Sequence, residues 1–353
     1  MCGIYGIAKS PTPYTQSQYD TTRKVLREVA TLSETRGAHS SGIAQVGADT
    51  RLHKSLLPSS KFIDTKEYSR AVKSLKSNDN NILLGHTRFA TEGAIIKSNA
   101  HPFKVGDVIG AHNGCVYNIA EMQATLDKQC PVDSQLIFKA INDNDNISDA
   151  FKDFDSDFAL SFVKKNPNIL YLCRESNRPL YVAYVKSLKT LFYASDDDFL
   201  QSAFDKYNVA ETEIISLNKN ILYAYDVTKF TDVNTNVTKT AFEYESRVYN
   251  SSINNYYDRF YSHYGKGNYA FDYYDDESFD NIDHNDIIEE ERQSLSEYYG
   301  GSPQDWYYDD VEDEWYFWDC DSEQMYSESQ ILGQRMSGVR DGQMTLKGVY
   351  DEQ

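Results

Sequence analysis

An α+β fold is predicted for residues 1–228 by three observations. Short apolar runs recur between turn residues, a few stretches carry apolar side chains at helical spacing, and the composition changes beyond residue 228. The first strand is read at Gly3-Ile4-Tyr5-Gly6, directly after Cys2, and a helix follows around Val25, Leu26, Val29 and Leu32. Ile82-Leu83-Leu84 reads as a buried strand that delivers Arg88 to its end. Val108-Ile109-Gly110-Ala111 reads as another, ending in Asn113-Gly114, a pair that commonly marks a tight turn. Helical stretches are expected from Asn118 to Leu126 and from Asp133, as N-cap, through Leu136, Ile137 and Ala140. Four more apolar runs, 157–163, 169–173, 180–184 and 191–194, read as successive antiparallel strands separated by Asn, Pro, Lys and Ser. Ala194-Ser195-Asp196 opens an apolar helix, and runs at 214–217 and 221–225 close the domain.

Cys2 carries the most chemical information. If Met1 is removed, thiol and α-amine sit on one residue, and an amine with a reference pKa of about 7.7–8.0 can serve as base to that thiol near neutral pH. Alone, Cys2 could equally be a small buried residue of an early strand. Three other segments supply what an amide hydrolase would need. Arg88, in Gly85-His86-Thr87-Arg88-Phe89-Ala90-Thr91-Glu92-Gly93, offers a planar fork to a carboxylate. Asn113-Gly114 places a side-chain amide beside an unhindered backbone N–H, the donor pair an oxyanion requires. Asp133-Ser134 adds an acid at a helix start, where capping alone would explain it.

Composition excludes several classes. The five cysteines, Cys2, Cys115, Cys130, Cys173 and Cys320, are odd in number and scattered, and no charged and apolar leader precedes the fold, so a reducing cytoplasm is expected. No run approaches the ~18 apolar residues that cross a bilayer, so no membrane insertion is expected. A net charge of −19 argues against direct nucleic acid binding. No His or Cys pair has metal-ligand spacing and no Gly-rich phosphate loop is present; neither a metal nor a cofactor is expected. His86 and His112 read as ordinary core histidines satisfied by hydrogen bonds.

Together, Cys2-Gly3-Ile4, Arg36-Gly37-Ala38-His39-Ser40-Ser41-Gly42, the His86-Thr87-Arg88 strand, Asn99-Ala100-His101-Pro102, His112-Asn113-Gly114 and Asp133-Ser134 resemble, in order and content, the glutaminase domain of class II glutamine amidotransferases, a branch of the N-terminal nucleophile hydrolases. The resemblance implies a four-layer αββα sandwich with Cys2 at the open end between two sheets. It implies glutamine as substrate, hydrolysed to glutamate and ammonia through a γ-glutamyl thioester on Cys2. Asn113 and Gly114 would hold the oxyanion, Arg88 the α-carboxylate and Asp133 the α-ammonium. Thr91 and Gly93 would line the pocket, and Arg36 would order the terminal cysteine. The chain departs from the pattern at His39, where many members have Asp. It also departs from the glucosamine-forming branch at Phe89, where that branch has Trp, and at Glu92, where it has His. Two other readings stay open: an inactive binding or structural protein with the same fold, and an N-terminal-cysteine amidase acting on another amide.

Residues 229–284, rich in Asn, Thr, Ser, Tyr and Asp, read as a polar linker, extended or poorly ordered. Residues 285–353 form an acidic, aromatic-rich C-terminal extension. A short helix is expected from Asp286 as N-cap to Gly300-Gly301, with Ile288, Leu295 and Tyr299 on one face. All three tryptophans, Trp306, Trp315 and Trp318, lie beyond it among acids. They suit either docking on a basic or apolar partner or packing back on the first domain. Members of the family couple glutaminase to a second, ammonia-accepting domain, and none is visible here. A separate synthase docked through the extension is therefore the expected partner.

Overall fold

The computed structural model describes residues 2–91, 93–124, 126, 130–175, 177–210, 212–231, 235–244, 291–296, 302–309, 314–319, 324–327 and 330–331. Strands β1 (Gly3–Lys9), β2 (Ser40–Gly47), β3 (Arg51–Ser55), β4 (Asn80–Arg88), β9 (Tyr181–Val185), β10 (Thr190–Ala194) and β11 (Ile214–Ser216) form a seven-stranded sheet in the order β11-β9-β10-β1-β4-β2-β3. Strands β5 (Phe103–Val105), β6 (Val108–Val116), β7 (Ser156–Lys164), β8 (Ile169–Arg174), β12 (Ile221–Asp226) and β13 (Val237–Ala241) form a six-stranded one in the order β13-β12-β8-β7-β6-β5. The ladders are antiparallel. The helices are α1 (Gln16–Ser33), α2 (Ser59–Phe62), α3 (Lys66–Lys73), α4 (Ile119–Gln123), α5 (Asp133–Asp143), α6 (Ile147–Ala150) and α7 (Asp197–Lys206).

Three apolar layers follow from the period-two alternation of the strands. Tyr5 and Ile7 of β1 and Leu83 of β4 face α1, α3 and α7, meeting Leu26, Tyr68 and Phe204. Their neighbours Ile4, Ala8, Ile82 and Leu84 face the second sheet, meeting Ala111, Ala159 and Leu172. The far side of that sheet packs Phe158, Leu160 and Phe162 against Ile137, Phe138 and Ile141 of α5. The result is the helix-sheet-sheet-helix sandwich. Strands buried on both faces read as continuous apolar runs, which is why β4 and β7 were legible by composition.

Three features differ from expectation. The six-stranded sheet continues past residue 228: β13 pairs with β12 from Ile221↔Ala241 to Tyr225↔Val237, and Phe242 stacks on Phe151 at 4.0 Å. Its Val-Thr-Lys-Thr-Ala sequence, largely exposed, lacks the apolar run that marks an inner strand, and this hid it. Asn113-Gly114 is no turn, because β6 stays paired with β7 through Cys115↔Asp157 and Val116↔Ser156. Asp133 is the first helical residue of α5 rather than its N-cap, which is Val132.

Of the C-terminal extension, residues 291–296 are helical, and β14 (Trp306–Asp309), β15 (Glu314–Asp319) and β16 (Gln324–Ser327) form an antiparallel sheet in that order. Asp286, Ile288, Tyr299, Gly300 and Gly301 lie outside the described residues, as do 245–284. Trp306 and Trp315 are fully buried, in one cluster with Leu295, Phe317 and Ile331 and with Ala94 and Ile96 of the loop after β4. The extension thus packs back on the sandwich. Replacing Phe242 by Ala should cost about 3 kcal/mol of stability in urea unfolding, the usual loss for a buried phenylalanine. A cost under about 1 kcal/mol would mean that the 237–244 segment contributes little to the fold.

Candidate active site

Cys2 immediately precedes β1, whose first pairs, Gly3↔Thr87 and Ile4↔His86, bring it to the end of β4. There its Sγ accepts the Phe89 N–H at 3.2 Å and lies 3.4 Å from the Phe89 carbonyl, to which a protonated thiol donates. Arg36 Nε donates to the Cys2 carbonyl at 2.9 Å. Burial pushes the Cys2 thiol up, while the Phe89 N–H and the charges of Arg88 and Arg178 pull it down.

Ser195, just past β10, joins the two sheets at this end. Its Oγ accepts from Ile4 N at 2.8 Å and from Asn113 Nδ2 at 2.8 Å, and donates to the Ile4 carbonyl at 3.3 Å. One donor and two lone pairs are all used. Asn113 Oδ1, buried, makes no hydrogen bond. Gly114 has φ +148°, and a Cβ there would lie 1.7 Å from the Asp157 carbonyl, so only glycine fits beside β7.

Arg88 is buried at the end of β4. It donates through Nη1 to the Ala94 carbonyl at 3.0 Å and through Nη2 to that of Gly93 at 3.2 Å. Gly93 has φ +77°, and a Cβ would meet the Pro131 carbonyl at 2.8 Å, so this loop lies against the residues leading into Asp133. Asp133 Oδ2 accepts from Val116 N at 3.0 Å and Oδ1 from Ser134 N at 2.8 Å. Burial raises its carboxyl, opposed by those N–H groups and by Arg88. Thr91 Oγ1 lies 3.9 Å from Cys115 Sγ. Of the expected residues, Arg36 touches Cys2 directly, and Arg88 ends the strand whose next residue, Phe89, donates to Cys2. Gly93 is bound by Arg88, and Thr91 lies in the same loop. Asn113, next to Gly114, is tied to Ser195, and Asp133 is tied to the end of β6 through Val116.

Sequence reasoning missed the supporting residues. Asp157 and Arg178 form an ion pair while Asp157 Oδ1 accepts from Cys115 N at 2.7 Å, so the pair fixes the strand beyond Gly114 and sets a positive charge near Cys2. An acid heading a buried strand was the available signal for Asp157. His39 Nδ1 accepts from Ala90 N at 2.9 Å, and its ring stacks on Phe89 at 4.9 Å. It thus holds the chain that donates to Cys2. Of the core histidines, His86 reaches the His112 carbonyl at 3.1 Å and His112 reaches Ser134 Oγ at 2.9 Å, whereas both ring nitrogens of buried His101 lack a hydrogen bond. Among the described residues no group of three His, Cys, Asp or Glu could hold a metal ion, and no helix is long and apolar enough to cross a membrane.

Comparison with known proteins meets this geometry. A glutamine amidotransferase domain model matches residues 86–202, the stretch holding Arg88, Asn113, Gly114, Asp133, Arg178 and Ser195. The chain carries a class II glutamine amidotransferase domain. Glutamine–fructose-6-phosphate aminotransferase of Bartonella henselae is 27% identical over 64% of this chain and 37% of its own length. The 7-cyano-7-deazaguanine synthase of Saccharolobus solfataricus is 24% identical over 62% of this chain and 48% of its own. The chain thus spans less than half the length of these relatives. In fold, the amidotransferase domain is similar to glutamine phosphoribosylpyrophosphate amidotransferase from B. subtilis, with a TM-score of 0.50 and 16% identity over 69% of this chain and 50% of that one.

Burial holds His86 down to about 3 and His112 to about 4. Both are neutral in the fold, whereas an unfolded histidine protonates near 6.5. The unfolded chain therefore gains protons first as pH falls, and the stability present above pH 6.5 is lost toward pH 4, by roughly 1.4 kcal/mol per pH unit per histidine. Urea midpoints measured from pH 7 to pH 4.5 should fall accordingly, and His112→Asn should flatten the slope.

Proposed function

We propose that this domain hydrolyses glutamine to glutamate and ammonia with Cys2 as nucleophile, and that the ammonia passes to an acceptor on a separate synthase. The observation that carries the reading is the meeting of Cys2, Arg88 and Asn113-Gly114 at one end of the two sheets, tied by the Phe89 N–H and the Ser195 hydroxyl. Removal of Met1 frees the Cys2 α-amine, which takes the thiol proton. The thiolate attacks the side-chain amide carbon of glutamine. The second N–H of the Asn113 amide and the Gly114 N–H take the charge that develops on oxygen. The amine returns the proton to nitrogen, ammonia leaves, and water attacks the γ-glutamyl thioester to release glutamate and the thiol.

Selectivity rests on opposite charges. Arg88, its guanidinium directed by the Gly93 and Ala94 carbonyls, offers a planar cationic fork to the α-carboxylate. Asp133 faces the α-ammonium, Thr91 and Gly93 line the pocket, and Arg36 orders Cys2. This clamp favours a free amino acid over an acyl amide. The chain spans less than half the length of the curated relatives it matches, and the ammonia acceptor is read as lying on a separate synthase, docked through the C-terminal extension. Among the described residues, Cys2, Cys115, Cys130 and Cys173 form no disulfide, in keeping with the reducing cytoplasm proposed for the protein.

Purified protein lacking Met1 should release glutamate from glutamine, and Cys2→Ala should abolish release. Asn113→Ala should lower kcat by about 10²–10³, and Arg88→Lys should act mainly on KM for glutamine. Retained Met1 without turnover would point to an inactive relative. Turnover of acyl amides in preference to glutamine would point to an amidase. Removal of residues 300–353 should abolish capture of the synthase; intact capture would count against docking through the extension.

A further inference from the structure

The loop after β4 is held from two sides by different parts of the chain. Toward the active site, the carbonyls of Gly93 and Ala94 accept from Arg88. Away from it, the N–H groups two and three residues on donate to the C-terminal extension: Ile95 N to Ser294 Oγ at 2.7 Å, and Lys97 N to Glu291 Oε1 at 2.5 Å. The other oxygen of Glu291 accepts from the indole nitrogen of Trp315 at 3.1 Å, so one carboxylate joins the loop to the tryptophan sheet. On either side of Ile95, Ala94 and Ile96 bury their side chains in the cluster of Leu295, Trp306 and Trp315.

This segment has no strand or helix of its own. A backbone of this kind is ordinarily among the most mobile parts of a domain, and its order here comes from the groups that receive its donors and cover its side chains. Those groups belong to residues 291–331, while Asn99 and Ala100 close the loop on itself by donating to the carbonyls of Ala94, Ile96 and Lys97. The guanidinium of Arg88 is in turn oriented by the loop's carbonyls, so its direction depends on where the extension holds the loop.

We propose that the C-terminal extension is a positioning element of the glutamine site, with Ser294 and Glu291 fixing the 93–97 loop so that Arg88 is aimed at the α-carboxylate. This rests on the glutaminase reading above. Ser294 and Glu291 touch no reacting atom; they act through the loop and Arg88. The extension thereby couples its own seating to glutamine affinity, and a partner that grips or lifts it would change KM rather than the chemistry on Cys2.

The test uses the full chain with Ser294→Ala, Glu291→Ala and the conservative Ser294→Thr. Glutamate release gives kcat and KM, and alkylation of Cys2 by iodoacetamide, which needs no carboxylate, reports the nucleophile alone. Each alanine variant should raise KM for glutamine about tenfold, the effect of leaving a backbone donor without its acceptor. kcat and the alkylation rate should stay within about twofold, and Ser294→Thr should restore KM. KM within about twofold of the parent in both alanine variants would overturn the inference. So would a rise in KM matched by falls in kcat and altered alkylation, which marks general loosening, or a failure of Ser294→Thr to restore KM. A parent chain that releases no glutamate removes the glutaminase reading and this inference with it, whereas an active parent with unmoved variants removes the inference alone.

Discussion

The arrangement at the mouth of the sandwich depends on one serine hydroxyl. Ser195 Oγ receives the Ile4 amide of the first sheet and the Asn113 side chain of the second, and gives its proton to the Ile4 carbonyl. Two sheets packed by apolar contacts alone can slide by fractions of an ångström without much loss, because the hydrophobic effect has no direction. A hydroxyl with every lone pair and its proton engaged allows no such slip. It registers β1, and hence Cys2, against β6, and hence Gly114. Most of the fold can be seen as support for that registration, with β1 central in its sheet and β6 paired with β7 over its whole length.

A ring of residues without direct chemistry keeps the parts from collapsing on one another. His39 supplies an acceptor to the Ala90 N–H, and Arg36 holds the Cys2 carbonyl. Asp157 and Arg178 compensate each other's charge under little solvent, the condition in which a buried pair is tolerated. The neutral histidines 86, 101 and 112 fill the space behind with planar rings; His86 and His101 lie 4.1 Å apart, a contact that two imidazolium ions would not sustain.

The two-sheet core and the candidate site residues were legible because both leave local marks: β4 and β7 are continuous apolar runs, Cys2, Arg88 and Asp133 stand at the ends or starts of elements, and Asn113-Gly114 is a distinctive pair after an apolar run. What escaped is relational. Ser195 is an ordinary residue before a helix until the fold brings Asn113 to it. The strand 237–241 is polar because it is an edge. Asn113-Gly114 carries the composition of a turn, yet a glycine was needed in mid-strand for close approach to Asp157. The tryptophans of the extension announced burial, but no local pattern names the loop that would cover them.

The edges of the two large sheets bear on how this protein meets others. β13 carries Lys239, β3 carries Arg51 and Lys54, β5 carries Lys104, and β11 is only three residues long. Charged and very short border strands discourage a foreign strand from zipping onto the exposed amides. These borders resist both self-propagating aggregation and recognition by sheet extension, so a companion protein must be read through side chains and surface shape.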